Sequence, residues 1–228
     1  MEHEVLLMDA IINPGVIPHN VSYAVLASII LIVSALAVKG SMRLVPVGFQ
    51  NFIETIVETF LNLAEENIGH HWGKTLFPLI GTLFMFILIC NIMGLIPGFA
   101  SPTSNINTNI PMALIVFITY QFYGIRVHGF KYINQFVGPI RSIAALPLMI
   151  LMFIIEFIGH LVRPVTLSVR LFGNMVAKHI ILLVLASLAP LIVPTLILAL
   201  GTLVSVIQAF VFTLLATLYL AGAVGEAH

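Results

Sequence analysis

Between residues 156 and 179 the chain places one carboxylate, two histidines, three cations and an amide in an otherwise apolar tract: Glu156, His160, Arg163, Arg170, Asn174, Lys178 and His179. A permanently charged side chain at bilayer depth costs about 3 kcal/mol on insertion-derived scales, so an arginine there is a functional-site hypothesis by default. At about 100° per residue, Glu156, His160, Arg163, Arg170, Asn174 and Lys178 fall within roughly 80° of arc on one helix. Random placement would scatter them, so the spacing predicts a single polar face inside the membrane. His179 points to the opposite side, so the helix addresses a second environment. Arg170 has no carboxylate at i±3 or i±4, so its counter-ion must come from elsewhere, another subunit included.

Each residue also has a plainer role open to it. Glu156 and Arg163, seven apart on one face, form a buried ion pair in that reading. Lys178 snorkels to an interface, and His160 and His179 are hydrogen-bonded core residues. On the following apolar segment Gln208 aligns with Gly201, Phe212, Leu215 and Tyr219. That face offers an amide and a phenol, and makes Gln208 a candidate partner for the Arg170 guanidinium.

The elements that carry these residues are membrane elements. The 228 residues are 60% apolar and 8% charged, with a mean hydropathy of +1.14. Soluble domains carry about 25% charged residues. The composition therefore predicts an all-α integral membrane protein, a single domain over 1–228. The zero net charge argues against nucleic acid as a partner. The single cysteine, Cys90, excludes an internal disulfide. The eight histidines show no HxxxH or HExxH spacing, so no metal and no cofactor is expected.

In chain order, residues 1–20 are acidic and broken by Pro14, Gly15 and Pro18, an external segment with no basic signal-peptide start. A first span runs from Val21 to Val38, and Lys39 and Arg43 after it mark a cytoplasmic loop. Pro46 to Ile68 reads as an amphipathic helix, with Phe49, Phe52, Ile53, Ile56, Phe60 and Leu63 on one face and Glu54, Glu58, Glu65 and Glu66 on the other. An acidic face suits an interfacial helix or a docking surface for protein better than an anionic lipid anchor. A second span covers Leu76 to Ile96, and the uncharged loop Ser101 to Asn109 reads as external. Pro111, placed at a helix N1 position, opens a third span to about Ile125. Arg126, Lys131 and Arg141 mark the next cytoplasmic loop.

From Ser142 to Leu188 no turn signal interrupts the run. A helix of that length reaches about 70 Å, over twice the hydrocarbon thickness. It must be strongly tilted or broken near Pro164, and tilt with a bend is the expectation. Ala189, Pro190 and Pro194 make the turn, and Leu196 to Ala221 returns, so that 142–222 forms a long tilted hairpin carrying the ion-path residues. The sum is five membrane-crossing helices and one amphipathic helix, with the N-terminus outside and the C-terminus cytoplasmic.

The stretch Pro164-Val-Thr-Leu-Ser-Val-Arg170-Leu-Phe-Gly-Asn174-Met resembles the signature of subunit a of F-type ATP synthase, the membrane stator of a rotary motor. Supporting matches are Asn91-Ile-Met-Gly-Leu-Ile-Pro97, Asn105 to Leu114, Glu156 fourteen residues before the arginine, and Ile207-Gln208-Ala-Phe-Val-Phe leading to Tyr219-Leu-Ala. The resemblance implies a non-catalytic ion-translocating subunit in a bacterial inner membrane. Its partners would be a ring of small hairpin rotor (c) subunits, peripheral-stalk (b) subunits and the lipid bilayer, and nucleotide chemistry would lie on other subunits. It implies proton translocation by Arg170 with Asn174, Gln208, His179, Glu156, His160, Lys178, Arg163 and Tyr219. Arg170 would meet each rotor carboxylate, favour its ionised form and keep two offset half-channels apart. His179 falls where that family has an ionisable half-channel residue, and its usual partner corresponds to Gly201, which cannot titrate. The alternative is a secondary transporter using the arginine to bind an anionic substrate, but no inverted repeat supports it.

Overall fold

A computed structural model describes residues 18–40, 48–96, 98–129, 132, 146–188 and 192–225. Every regular element among them is helical. In order they are α1 (His19–Gly40), α2 (Phe49–Ile68), α3 (His70–Met93), a 3-10 turn (Pro102–Ser104), α4 (Ile106–His128), α5 (Leu146–Leu188) and α6 (Ile192–Val224). Five of the helices, all but α2, are long and apolar enough to cross a membrane. Residues 1–17 of the segment 1–20 expected to be external, and the cations Arg43, Lys131 and Arg141, lie outside the described residues.

The amphipathic helix α2 is not merely laid on the outside. Phe60 is buried against Phe84 of α3, with ring centroids 4.1 Å apart, and reaches Phe210 of α6 at 6.0 Å. Glu58, Asn62 and Glu66 stay exposed, as does Phe52 of the expected apolar face. Gly69, with φ +92°, turns the chain from α2 into α3. At Gly73 a Cβ would stand 2.8 Å from the Glu65 backbone, so the two helix ends meet only because that side chain is absent.

The structure corrects the start of the third span. Asn105 caps α4, its side chain accepting from the N–H of Asn107. The helix therefore begins at Ile106, and Pro111 lies inside it instead of at N1. A side-chain cap starts a helix wherever it satisfies the first free N–H groups. Pro111 then forfeits only one early backbone bond. Pro194 likewise falls within the first turn of α6 and not in the loop before it, a place where a missing N–H costs nothing.

Helix α5 runs unbroken for 43 residues through Pro164. At 1.5 Å per residue that is about 65 Å, so it must lie steeply inclined in a bilayer about 30 Å thick. Pro164 is the residue at which the sequence signals a break. The helix passes through it nonetheless, although the ring leaves the His160 carbonyl without its i+4 donor.

Helix α6 occupies the centre. Its Ala209, Phe212, Ala216 and Leu220 are buried among Ile80 and Ile87 of α3, Val116 and Tyr120 of α4, and Leu167 and Leu171 of α5. The alanines, with buried Thr213 and Thr217, let neighbouring backbones approach closely, as membrane helix packing requires. By contrast α5 is the least covered span: only 6% of its most apolar stretch is buried, against 22–44% for the other four. The most polar span is thus the one this chain leaves most uncovered.

Candidate functional site

The polar residues of α5 separate into two groups with Arg170 between them. The first lies where the first half of α5 meets the ends of α4 and α6. Glu156 Oε1 is 3.4 Å from His160 Nε2 and 3.7 Å from Arg163 Nη2. The Arg163 guanidinium sits over two rings, 5.2 Å from the centroid of Tyr219 and 5.8 Å from that of Tyr120. The Tyr120 hydroxyl lies 3.0 Å from His160 Nδ1. The expected Glu156–Arg163 pairing is therefore present, but as part of a three-helix cluster and not as an isolated ion pair. Tyr120 is a site residue that the sequence does not flag. A lone tyrosine in an apolar span gives no signal until the fold puts it against His160.

The second group lies where the second half of α5 faces the first half of α6. Lys178 Nζ is 3.4 Å from Ser205 Oγ, which in turn donates to the Gly201 carbonyl at 2.7 Å. Lys178 lies across Gly201: a Cβ there would meet Lys178 Cδ at 3.1 Å and Leu95 Cδ2 at 3.0 Å. Beside it runs an open cavity of about 210 Å³ lined by Asn174, Ala177, Lys178, Leu200, Gly201 and Val204. The bare backbone at Gly201 is thus the floor on which the lysine stem lies. His179 is half-buried and does not line this cavity.

A buried hydrogen-bond chain continues from here. Asn91 of α3 donates to the Ser205 carbonyl at 3.2 Å and accepts from Thr103 Oγ1 at 2.8 Å. Thr103 also meets Ser101 Oγ at 2.7 Å, and Asn109 donates to the Thr103 carbonyl at 2.8 Å. These neutral groups tie the Ser101–Asn105 turn and the start of α4, through Asn91 of α3, to α6 at the end of the bundle where Lys178 lies.

Between the groups, Asn174 Nδ2 donates to Gln208 Oε1 across the α5–α6 contact. The expected pairing of Gln208 with Arg170 does not form through that oxygen, which is committed to Asn174. Its Nε2 is buried with no hydrogen-bond partner among the described residues. Such a buried donor costs about 1–3 kcal/mol unless something accepts from it. Arg170 itself is exposed on the uncovered face of α5, and among the described residues no carboxylate lies within 4.0 Å of it. One turn on, at Gly173, a Cβ would meet nothing within 4 Å. This face is open.

The described residues contain no cluster of metal-ligating side chains. What the arrangement offers is titratable groups at two places on α5, Glu156 with His160 and, further on, Lys178, with the Arg170 cation between them. Glu156 and Lys178 are 22 positions apart in the sequence, about 33 Å along the helix axis.

Comparison with known proteins agrees on one family. The family model described as ATP synthase A chain matches residues 21–221. A protein called ATP synthase subunit a from Geotalea uraniireducens is 49% identical over 201 residues, 88% of this chain and 85% of that one. One of the same name from Geobacter sulfurreducens is 49% identical over 199 residues, 87% and 84% of the two chains. A third, from Trichlorobacter lovleyi, is 43% identical over 228 residues, all of this chain and 94% of its own.

Proposed function

The chain belongs to the ATP synthase A chain family, and from that premise we propose that it is the stator through which protons reach and leave a rotor. The observation that carries this reading is the placement of Arg170. It is an exposed cation on α5, between two polar groups that lie toward opposite ends of the same helix.

In this reading a ring of small hairpin subunits, each with one mid-membrane carboxylate, turns against the open face of α5. Lys178, His179 and the Asn174–Gln208 pair serve the half-channel at the Ser101–Asn109 end, which loop charge assigns to the outside. Glu156 and His160 serve the half-channel at the other end, with Arg163 and Tyr219 holding Glu156 in place. A carboxylate arriving near Arg170 is favoured in its ionised form by the opposite charge and gives up its proton toward Glu156. A guanidinium has no acceptor and keeps its protons, so no proton hops from one half-channel to the other through Arg170. A proton that falls through 100 mV releases about 2.3 kcal/mol, and blocking the direct leak commits that energy to rotation.

The secondary-transporter alternative finds no observation in its favour. Peripheral-stalk subunits are the partners that the exposed acidic face of α2 would suit. The test is proximity. A Gly173→Cys thiol has open space to occupy, and should form a disulfide with a cysteine placed beside the rotor carboxylate in the assembled complex. Failure to cross-link there, with cross-links forming at another face, would remove the reading.

A further inference from the structure

Both donors that approach Glu156 meet the same oxygen. His160 Nε2 and Arg163 Nη2 stand 3.4 and 3.7 Å from Oε1. The Glu156 side chain is 41% exposed, and no contact to Oε2 is formed among the described residues. Oε1 is therefore the oxygen that both cationic neighbours approach, while Oε2 of the part-exposed side chain has no such contact.

Tyr120 touches both holders. Its ring lies under the Arg163 guanidinium, and its hydroxyl meets His160. That hydroxyl has one proton and two acceptors in reach, His160 Nδ1 at 3.0 Å and the His160 carbonyl at 3.4 Å, the latter lacking its helical donor because residue 164 is proline. Were the proton given to the carbonyl, Nδ1 would have to carry the imidazole proton, and Nε2 would then aim a lone pair at a carboxylate oxygen. The shorter contact and the partner on the far side of the ring select donation to Nδ1.

We propose that Tyr120 is a positioning residue of the proton path. By donating to Nδ1 it keeps the imidazole proton on Nε2, where it points at Glu156 Oε1. With its ring it seats Arg163 on the same oxygen. Oε2 is thereby the atom that takes and releases the transported proton, while Oε1 stays fixed to the stator. Both groups are too enclosed for water to replace the hydroxyl, Tyr120 being 1% exposed and His160 5%. The inference rests on the proposal above that Glu156 lies on the path.

The test uses the assembled complex in vesicles, with ¹⁵N-histidine in the chain and the His160 signal identified by its loss in His160→Asn. In the native protein the spectrum should show a neutral ring protonated at Nε2; a ring protonated at Nδ1, or at both nitrogens, overturns the proposal. Tyr120→Phe keeps the ring under Arg163 and removes the hydroxyl. It should mix the two tautomers and slow proton conduction about three- to tenfold per assembled complex, the scale of a lost neutral hydrogen bond. Adding Tyr120→Phe to His160→Asn should then cause no further loss, because the hydroxyl acts through the ring. Equal, independent losses would mean that Tyr120 only packs, and would overturn the proposal. Glu156→Gln separates the two claims. Unchanged conduction there sinks the half-channel reading, whereas slow conduction in Glu156→Gln with native conduction in Tyr120→Phe sinks this one alone.

Discussion

Asn91 shows how much of the site is held by neutral groups. Fully buried, it joins α6, through the Ser205 carbonyl, to the loop that carries Thr103. Asn91→Leu would take from that helical carbonyl its second bond and from the Thr103 hydroxyl one of its two partners, at a cost of about 1 kcal/mol per bond. A lower melting temperature of the purified complex is the expected result, and an unchanged one would mean that the chain of bonds is dispensable. His179 stands apart, on the other side of α5 from Arg170. If it serves the outer half-channel, His179→Ala slows proton flux severalfold at every pH; unchanged flux would remove it from the path. At this scale the sequence reveals the expensive residues but not the cheap ones. Arg170, Glu156 and Lys178 announce themselves because charge in an apolar tract needs a reason. Tyr120 and Ser205 cost nothing in a span, so only the fold brings them to His160 and Lys178. The pairing of Gln208 with Asn174 in place of Arg170 is equally hidden, since one helix wheel says nothing about the register between two.

At the scale of elements, hydropathy locates every span, and local polar bonds account for the differences. The third span begins early because the Asn105 side chain caps it, a bond that outranks the proline as a marker of its start. The length of α5 is legible from the missing turn signals, whereas its continuity is not. Pro164 reads as a break, yet the helix passes through it without interruption. Helix α2 is legible as amphipathic, but its seat on α3 and α6 depends on Gly73. Gly73→Val would drive a branched side chain into the Glu65 backbone, where nothing flexible can yield. Overpacking of this kind costs about 1–3 kcal/mol. Assembly of the variant into membranes should fall well below that of the native chain; native levels would show that α2 does not depend on this contact.

The whole molecule is asymmetric. Helix α6 is packed into the bundle, α5 is spread across its outside, and Arg170 looks away from the chain that carries it. A self-sufficient channel would enclose such a group, whereas a stator has to present it. The proposed orientation rests on the cations that flank the spans, and α4 offers a direct check because Asn107 and Arg126 near its two ends are exposed. A cysteine at Asn107 should react with a membrane-impermeant maleimide added outside, and one at Arg126 only when the reagent is inside. Native Cys90 is buried and should stay silent. The reverse pattern would exchange the two proposed half-channels and with them the roles proposed for Glu156 and Lys178.

The account turns on what lies between those half-channels. Arg170→Lys keeps a cation on the open face but replaces the fixed guanidinium fork with a flexible ammonium that can lose its proton. The most direct measurement is ATP-driven proton pumping by vesicles carrying the assembled Arg170→Lys complex. Pumping should be abolished although assembly is complete. Coupled pumping at the native rate would contradict a unique role for the arginine.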